Sequence, residues 1–244
     1  MSVSRFRRLL SFAAILFLDW HAASFAAQAP APSNDPFPMS EGTHWIYRGA
    51  VHSAGNQSGE LVTKVSWKTE VRKLIRRGNL NAAVINGFPS DLNWSDGNAK
   101  PGDSLLIRSG QDDYYLIGPD SAQQSIKTLE DSNASLDGLL SDDDLFLRLP
   151  LKQGAKFCDP ESMARDDGMY CSFVSSVDSV SLKDVKGAPH QTREAYEIRY
   201  ATNPDDITFR LVPGVGIVSY DYHHHGTVAD TELKLVEFHA GPAD

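Results

Sequence analysis

The alternation of apolar and polar side chains is the feature that most limits how this chain can fold. Between Leu61 and Val71, Val65 and Trp67 share one parity, whereas Lys64 and Lys68 share the other. A period of two, carried by β-branched and aromatic residues, is typical of a strand with one buried and one solvated face. This segment is therefore predicted to be a half-buried β-strand.

The same pattern recurs along the chain and predicts further strands at His44–Val51, Asn81–Phe88, Ser104–Ser109, Asp113–Ile117, Tyr170–Ser176, Arg193–Ala201, Asp206–Leu211, Ile217–His225 and Thr231–Phe238. Weaker helical signals lie mid-chain, at Ser121–Glu130, Ser135–Leu140 and Asp142–Leu147, with Asp120 and Ser141 as candidate amino-terminal caps. Many strands with a small helical insert predict a mainly β fold. We expect a single curved antiparallel sheet or incomplete barrel, whose helices cover its mouth or face.

The amino terminus has the features of a secretory signal. Three arginines precede the apolar run Leu9–Leu18, and small residues lead to a break after Ala26. The alternatives are a buried amphipathic helix and an uncleaved anchor, although the apolar run falls short of the ~20 residues that span a bilayer. We expect residues 1–26 to be a signal peptide, 27–37 a flexible leader and 38–240 a single β-rich domain. The mature protein would be periplasmic or secreted, without a stable membrane anchor.

The charge balance restricts the partners. The formal net charge is −9 at pH 7, and loss of residues 1–26 removes three arginines and one aspartate. An acidic surface repels phosphate backbones and anionic lipid, so nucleic acid is not an expected partner. The acids around Glu130, Asp137 and Asp142 form a local negative surface that a cationic partner could meet.

The two cysteines, Cys158 and Cys171, are an even pair. In an oxidising compartment such a pair favours a disulfide, and the alternative is two reduced thiols. No Cys/His motif for catalysis lies near either one.

The richest local chemistry lies in the last third of the chain. On a strand, Asp221, His223 and His225 share one face, while Tyr220, Tyr222 and His224 share the other. One carboxylate and two imidazoles could bind zinc or another divalent metal, if His190, His239 or His52 supplied a further ligand. The alternative is a polar strand face near solvent. No cofactor is otherwise expected, because no nucleotide loop, calcium loop or nucleophile elbow is present.

Two motifs carry a resemblance. Phe37–Tyr47 contains Pro38, Gly42, Trp45 and Tyr47 in the spacing Pro-x-x-x-Gly-x-x-Trp-x-Tyr, and Pro213–Ile217 reads PGVGI. Both resemble motifs of uncharacterised exported bacterial β-rich proteins, whose half-barrel is similar to that of periplasmic lipoprotein carriers. The resemblance implies a fold and a compartment, and no site residues.

Together these observations favour a non-enzymatic exported protein that binds an apolar or amphipathic ligand, or an envelope protein partner. Aromatic residues could line either a closed core or a concave binding face, with Trp45, Tyr47 and Trp67 as the candidate ligand contacts. The alternative is a metal-dependent hydrolase that uses the face formed by Asp221, His223 and His225.

Overall fold

The computed structural model describes residues 35–55, 59–227 and 229–242. The proposed signal peptide and most of the proposed leader lie outside these residues. Within the described ranges, no helix has both the length and the apolar character needed to span a bilayer.

Twelve strands form one antiparallel sheet. Their bounds are β1 His44–Ala54, β2 Glu60–Arg77, β3 Leu80–Asn86, β4 Asp103–Ser109, β5 Asp113–Ile117, β6 Leu145–Arg148, β7 Lys156–Phe157, β8 Ser172–Ser181, β9 Thr192–Ala201, β10 Asp205–Val212, β11 Gly216–His224 and β12 Ala229–His239. The helices are α1 Pro119–Glu130 and α2 Pro160–Met163, with 3₁₀ turns at Pro89–Leu92 and Asp142–Asp144.

The strand order explains the shape of the sheet. It runs β6-β5-β4-β3-β2-β1-β12-β11-β10-β9-β8-β7, so strands adjacent in sequence are mostly adjacent in space. The first half of β2 pairs with β1, and its second half pairs with β3. The edge strands β6 and β7 approach each other, so the sheet is a nearly closed barrel. This confirms the predicted curved sheet or incomplete barrel.

The helical predictions are confirmed only in part. The predicted helix Ser121–Glu130 is α1, but Gly118 caps it with Pro119 in its first turn, so the prediction of Asp120 as the cap is wrong. Ser141 does act as a cap, because its hydroxyl accepts the N–H of Asp143 at 3.3 Å.

Two predicted helices are absent. Ser135–Leu140 forms turns, including one at Gly138, where φ is +74°. Asp142–Leu147 divides into a 3₁₀ turn and the strand β6, because Leu145 and Leu147 pair with Tyr115 and Tyr114 of β5. Tertiary pairing therefore overrides the local helical pattern here.

A loop of the chain fills much of the concave side of the sheet. We call residues 88–97 the inner loop. Leu92 is fully buried, and its carbonyl accepts the hydroxyl of Thr231 on β12 at 3.3 Å. The side chain of Asn93 accepts the hydroxyl of Tyr220 on β11 at 3.0 Å, and the ring of Trp94 lies 3.8 Å from that of His224. The barrel interior is thus packed by its own chain rather than empty.

Aromatic contacts connect the edge strand β6 to β10. Phe146 on β6 stacks on Phe209 of β10 with ring centroids 5.2 Å apart and meets Phe88 edge-on at 5.8 Å. Phe37 contacts both Phe146 and Tyr114, at 6.0 and 6.4 Å. Such contacts stabilise beyond the burial of their area. They hold β6 against β10, although no backbone ladder joins these strands.

The chain enters the barrel beside this aromatic cluster. Asp35 accepts the N–H of Gly214 in the β10–β11 turn at 2.7 Å, and its carboxylate pairs with Arg108 at 2.6 Å and accepts the hydroxyl of Tyr114. Phe37 is 5% exposed. Asp35 and Phe37, which the sequence placed in a leader, are therefore packed against the sheet.

Candidate functional site

The three candidate ligand contacts predicted from the sequence lie in the packed core. Trp45 donates to the carbonyl of Val215 at 2.5 Å, and Tyr47 donates to that of Ile217 at 2.9 Å. Trp67 donates to the carbonyl of Gly87 at 2.8 Å. Each polar atom is satisfied by backbone, and the space beside Trp45 and Tyr47 is a void of about 10 Å³. This geometry gives the three residues a structural role, and a ligand role for them stays a prediction.

A larger cavity lies where the two edges of the sheet meet. We call it the seam cavity. Its volume is about 270 Å³, which is near the lower end of the ~300–1,000 Å³ of small-molecule sites. Its wall is formed mainly by large apolar side chains from the inner loop, from β5 and β6 and from β10: Phe88, Leu116, Leu145, Phe146, Ile207 and Phe209.

Polar groups also line the seam cavity. Asp143 and Asp144 come from the 3₁₀ turn before β6, Ser172 from β8 and Tyr200 from β9, with Ser90 on the inner loop. The edge strand β6 has no backbone pairing with β8 or β9, so these groups come from parts of the sheet that are not hydrogen-bonded to each other. An apolar body and a polar group could both be accommodated there.

Burial shifts the titration of the groups around the cavity. The pKa of Asp144 is raised, first by burial and then by the neighbouring negative charge of Asp143. The pKa of Tyr200 is raised by burial and then by Tyr170 and Asp143, and burial also raises the pKa of Tyr220. The tyrosines stay neutral at pH 7, so the carboxylates are the charged groups of the seam cavity.

The predicted metal face lies on the outside of the sheet. Tyr220, Tyr222 and His224 are buried, whereas Asp221, His223 and His225 are exposed. The rings of His223 and His225 lie 4.8 Å apart.

Each of these imidazoles already has a carboxylate partner. His223 pairs with Asp230 through Nδ1, and His225 pairs with Asp206 at 2.8 Å. The three residues proposed as further ligands lie elsewhere: His52 pairs with Glu60, His239 stacks on His44 at 4.9 Å, and His190 is exposed in the loop before β9. Across the described residues, no group of three or more His, Cys, Asp or Glu side chains is arranged to hold a metal ion. A metal at Asp221, His223 and His225 stays a prediction.

Cys158 and Cys171 form a disulfide, which ties the segment after β7 to the start of β8. It adjoins the seam cavity, because Ser172 follows Cys171 directly. Within the loop, Asp159 caps α2 by accepting the N–H groups of Glu161 and Ser162 at 2.8 and 3.0 Å. The disulfide therefore fixes the edge of the sheet that forms one side of the cavity.

The seam cavity was not identified in the sequence. Phe88 and Phe146 carried no local signal, since their contacts join residues far apart in the chain. From the sequence, Asp142 is expected only as part of a local negative surface with Glu130 and Asp137. The available signal was an acidic run directly before the alternating apolar strand Leu145–Arg148, which places carboxylates at the rim of an apolar strand.

Comparisons with known proteins give a likeness of fold only. No family model matches the chain, and no curated protein is similar to it. A proposed exported protein with a YmcC-like fold from Bacteroides fragilis is 14% identical over 83% of this chain and 98% of its own, with a TM-score of 0.39. A proposed lipoprotein from Parabacteroides distasonis is 12% identical over 86% of this chain and all of its own, with a TM-score of 0.40. At these values neither likeness bears on function.

Proposed function

We propose that this chain is an exported, non-catalytic protein that binds a small amphipathic molecule in the seam cavity. The observation that carries the proposal is the apolar wall of Phe88, Leu116, Phe146, Ile207 and Phe209 around a space of about 270 Å³. Apolar concave sites with a few converging polar groups are the usual form of small-molecule sites.

Export is supported by two independent features. The first 26 residues have the charge, apolar run and small-residue exit of a secretory signal. The Cys158–Cys171 disulfide fits an oxidising compartment, since cytosolic thiols are kept reduced. Both features support a periplasmic or secreted location.

The inner loop limits the size of the ligand. Leu92, Asn93 and Trp94 occupy the concave side of β11 and β12, so this part of the interior has no room for a long acyl chain. The remaining space suits a short chain or a single ring. Among the described residues that line it there is no histidine or cysteine, so Ser90 and Ser172 have no imidazole beside them for nucleophilic catalysis. Binding is therefore favoured over catalysis.

The test is a titration of the full mature chain with hexanol, monitored by two-dimensional NMR spectra of the backbone amides. At roughly 0.8 kcal/mol per buried methylene, a six-carbon chain gains about 4–5 kcal/mol, which corresponds to a millimolar Kd. We expect saturable shifts at residues around the cavity.

Two matched variants locate the binding. Ile207→Trp fills the cavity and should weaken binding about tenfold or more, whereas Leu61→Trp enlarges a side chain that is 50% exposed and should leave binding unchanged. The proposal fails if hexanol gives no saturable shifts, or if both variants bind it like the parent chain.

The alternatives predicted from the sequence have their own tests. The closeness of the His223 and His225 rings supports metal-dependent hydrolysis. Stoichiometric zinc in the purified protein, lost in His223→Ala, would favour it, whereas no bound metal would end it. An envelope protein partner would use exposed apolar groups such as Trp94, which is 59% exposed. Loss of a cross-linked envelope partner in Trp94→Ser would support that alternative.

A further inference from the structure

The ionisable side chains that line the seam cavity include carboxylates but no cations. Asp143 and Asp144 lie at its rim, and its described lining contains no lysine, arginine or histidine. None of the ion pairs among the described residues involves either carboxylate, although acids elsewhere on the sheet are paired, such as Asp113 with Arg148 at 2.6 Å. The cavity therefore has an apolar wall and an acidic rim, with no cationic side chain in its described lining.

The protein environment makes that rim favourable for a positive charge. Asp144 is half-buried and lies beside a second carboxylate, so its ionised form is penalised by burial and by repulsion. A cationic group placed between the two carboxylates would relieve both penalties and form charge-assisted hydrogen bonds. The hydroxyls of Tyr200 and Ser172 also line the cavity and could accept further ammonium hydrogens.

The apolar wall determines the chemistry of the uncharged part of the ligand. The stacked rings of Phe146 and Phe209 line the cavity together with Leu116 and Ile207, so the ligand needs an apolar body next to its charged group. An inorganic cation would leave this wall unused, and an anionic amphiphile would bring its charge against Asp143 and Asp144.

We propose that the seam cavity selects amphipathic cations, namely small ligands in which an ammonium group is joined to a short aliphatic or aromatic body. The ammonium lies at Asp143 and Asp144, and the apolar body lies against Phe146 and Phe209. This inference rests on the proposed binding function and specifies its ligand class.

The test compares three probes that share one chain and differ in charge: hexylammonium, hexanol and hexanoate, titrated by NMR at pH 7 and low salt. Hexylammonium should bind about tenfold more tightly than hexanol, and hexanoate should bind most weakly, because charge-assisted hydrogen bonds are stronger than neutral ones. The preference should fall with added salt, since the rim is open to solvent.

Variants that each remove one carboxylate test whether the preference for hexylammonium comes from Asp143 and Asp144. Asp144→Asn and Asp143→Asn should each reduce the ratio of hexylammonium to hexanol affinity several-fold and leave hexanol binding unchanged. Asp184→Asn is the control, because it removes the same charge from an exposed position outside the cavity.

The outcomes separate the two proposals. Equal binding of hexanol and hexylammonium would overturn the cation preference and leave the binding function standing. A preference that persists in both rim variants would overturn its assignment to Asp143 and Asp144. Failure of all three probes to bind would overturn both proposals.

Discussion

Replacing Tyr47 by phenylalanine tests whether the residues first predicted to contact ligand are structural. The hydroxyl of Tyr47 donates to the carbonyl of Ile217 at 2.9 Å, and the side chain is 2% exposed. The substitution removes one oxygen and leaves the ring in place, so packing changes little. It also leaves a buried carbonyl without this donor, which typically costs about 1–3 kcal/mol.

The expected loss is about 1.5 kcal/mol in the free energy of unfolding. With a urea slope of about 2 kcal/mol/M, the midpoint should fall by about 0.7 M. Urea unfolding followed by the fluorescence of Trp45 and Trp67 measures this shift. Tyr170→Phe is the matched control, because Tyr170 is 41% exposed, and its midpoint should stay within about 0.2 M of the parent.

Ligand binding gives the second readout for the same variants. If Tyr47 is structural, hexanol should bind Tyr47→Phe with unchanged affinity under conditions in which the variant is folded. Equal midpoints for Tyr47→Phe and Tyr170→Phe, or a selective loss of hexanol binding in Tyr47→Phe, would refute the reasoning.

Three further measurements test other parts of the structure. Reducing the Cys158–Cys171 disulfide, which closes a 13-residue separation, should lower the free energy of unfolding by about 3 kcal/mol, and a urea midpoint unchanged by reductant would contradict this. Gly49→Ala should lower the free energy of unfolding by about 3 kcal/mol or prevent folding, because a Cβ there would lie 1.7 Å from the carbonyl oxygen of Glu232. Gly118→Ala is the control, since a Cβ at Gly118 would meet nothing within 4 Å. Equal stabilities of the two variants would disprove the close strand contact. Burial raises the pKa of Tyr220, so above about pH 10 the unfolded state loses a proton that the folded state keeps. The free energy of unfolding should therefore fall with rising pH, by at most about 1.4 kcal/mol per pH unit for this group. Tyr220→Phe should show a correspondingly shallower decline between pH 9 and 11 in urea unfolding, and an identical slope would contradict the shift.

The sequence predicted the sheet because local alternation records which face of a strand is buried. On β11 the parity of Tyr220, Tyr222 and His224 against Asp221 and His223 is reproduced in the structure. The same reasoning failed at Leu145–Arg148, where four residues are too few to separate a period of two from a helical pattern. Their strand conformation comes from pairing with β5, which lies about thirty residues earlier.

The site was less predictable than the fold, because it is made by contacts between distant segments. Phe146 on β6 meets Phe209 on β10 only after the sheet has curved through the seven strands that lie between them. The inner loop likewise reaches Tyr220 and Thr231 across more than 120 residues. Neither contact produces a periodic pattern in the sequence. The seam cavity and the filled interior therefore arise only when the whole sheet has assembled.

Asp35 connects segments of the barrel that are far apart in the chain. Its backbone carbonyl accepts the N–H of Gly214 in the β10–β11 turn, and its carboxylate pairs with Arg108 on β4 and accepts the hydroxyl of Tyr114 on β5. Phe37, two residues later, contacts Phe146, which lines the seam cavity. A shortened protein that begins after Phe37 would lose all of these contacts beside the cavity, so protein prepared for binding experiments should keep residues 35–37.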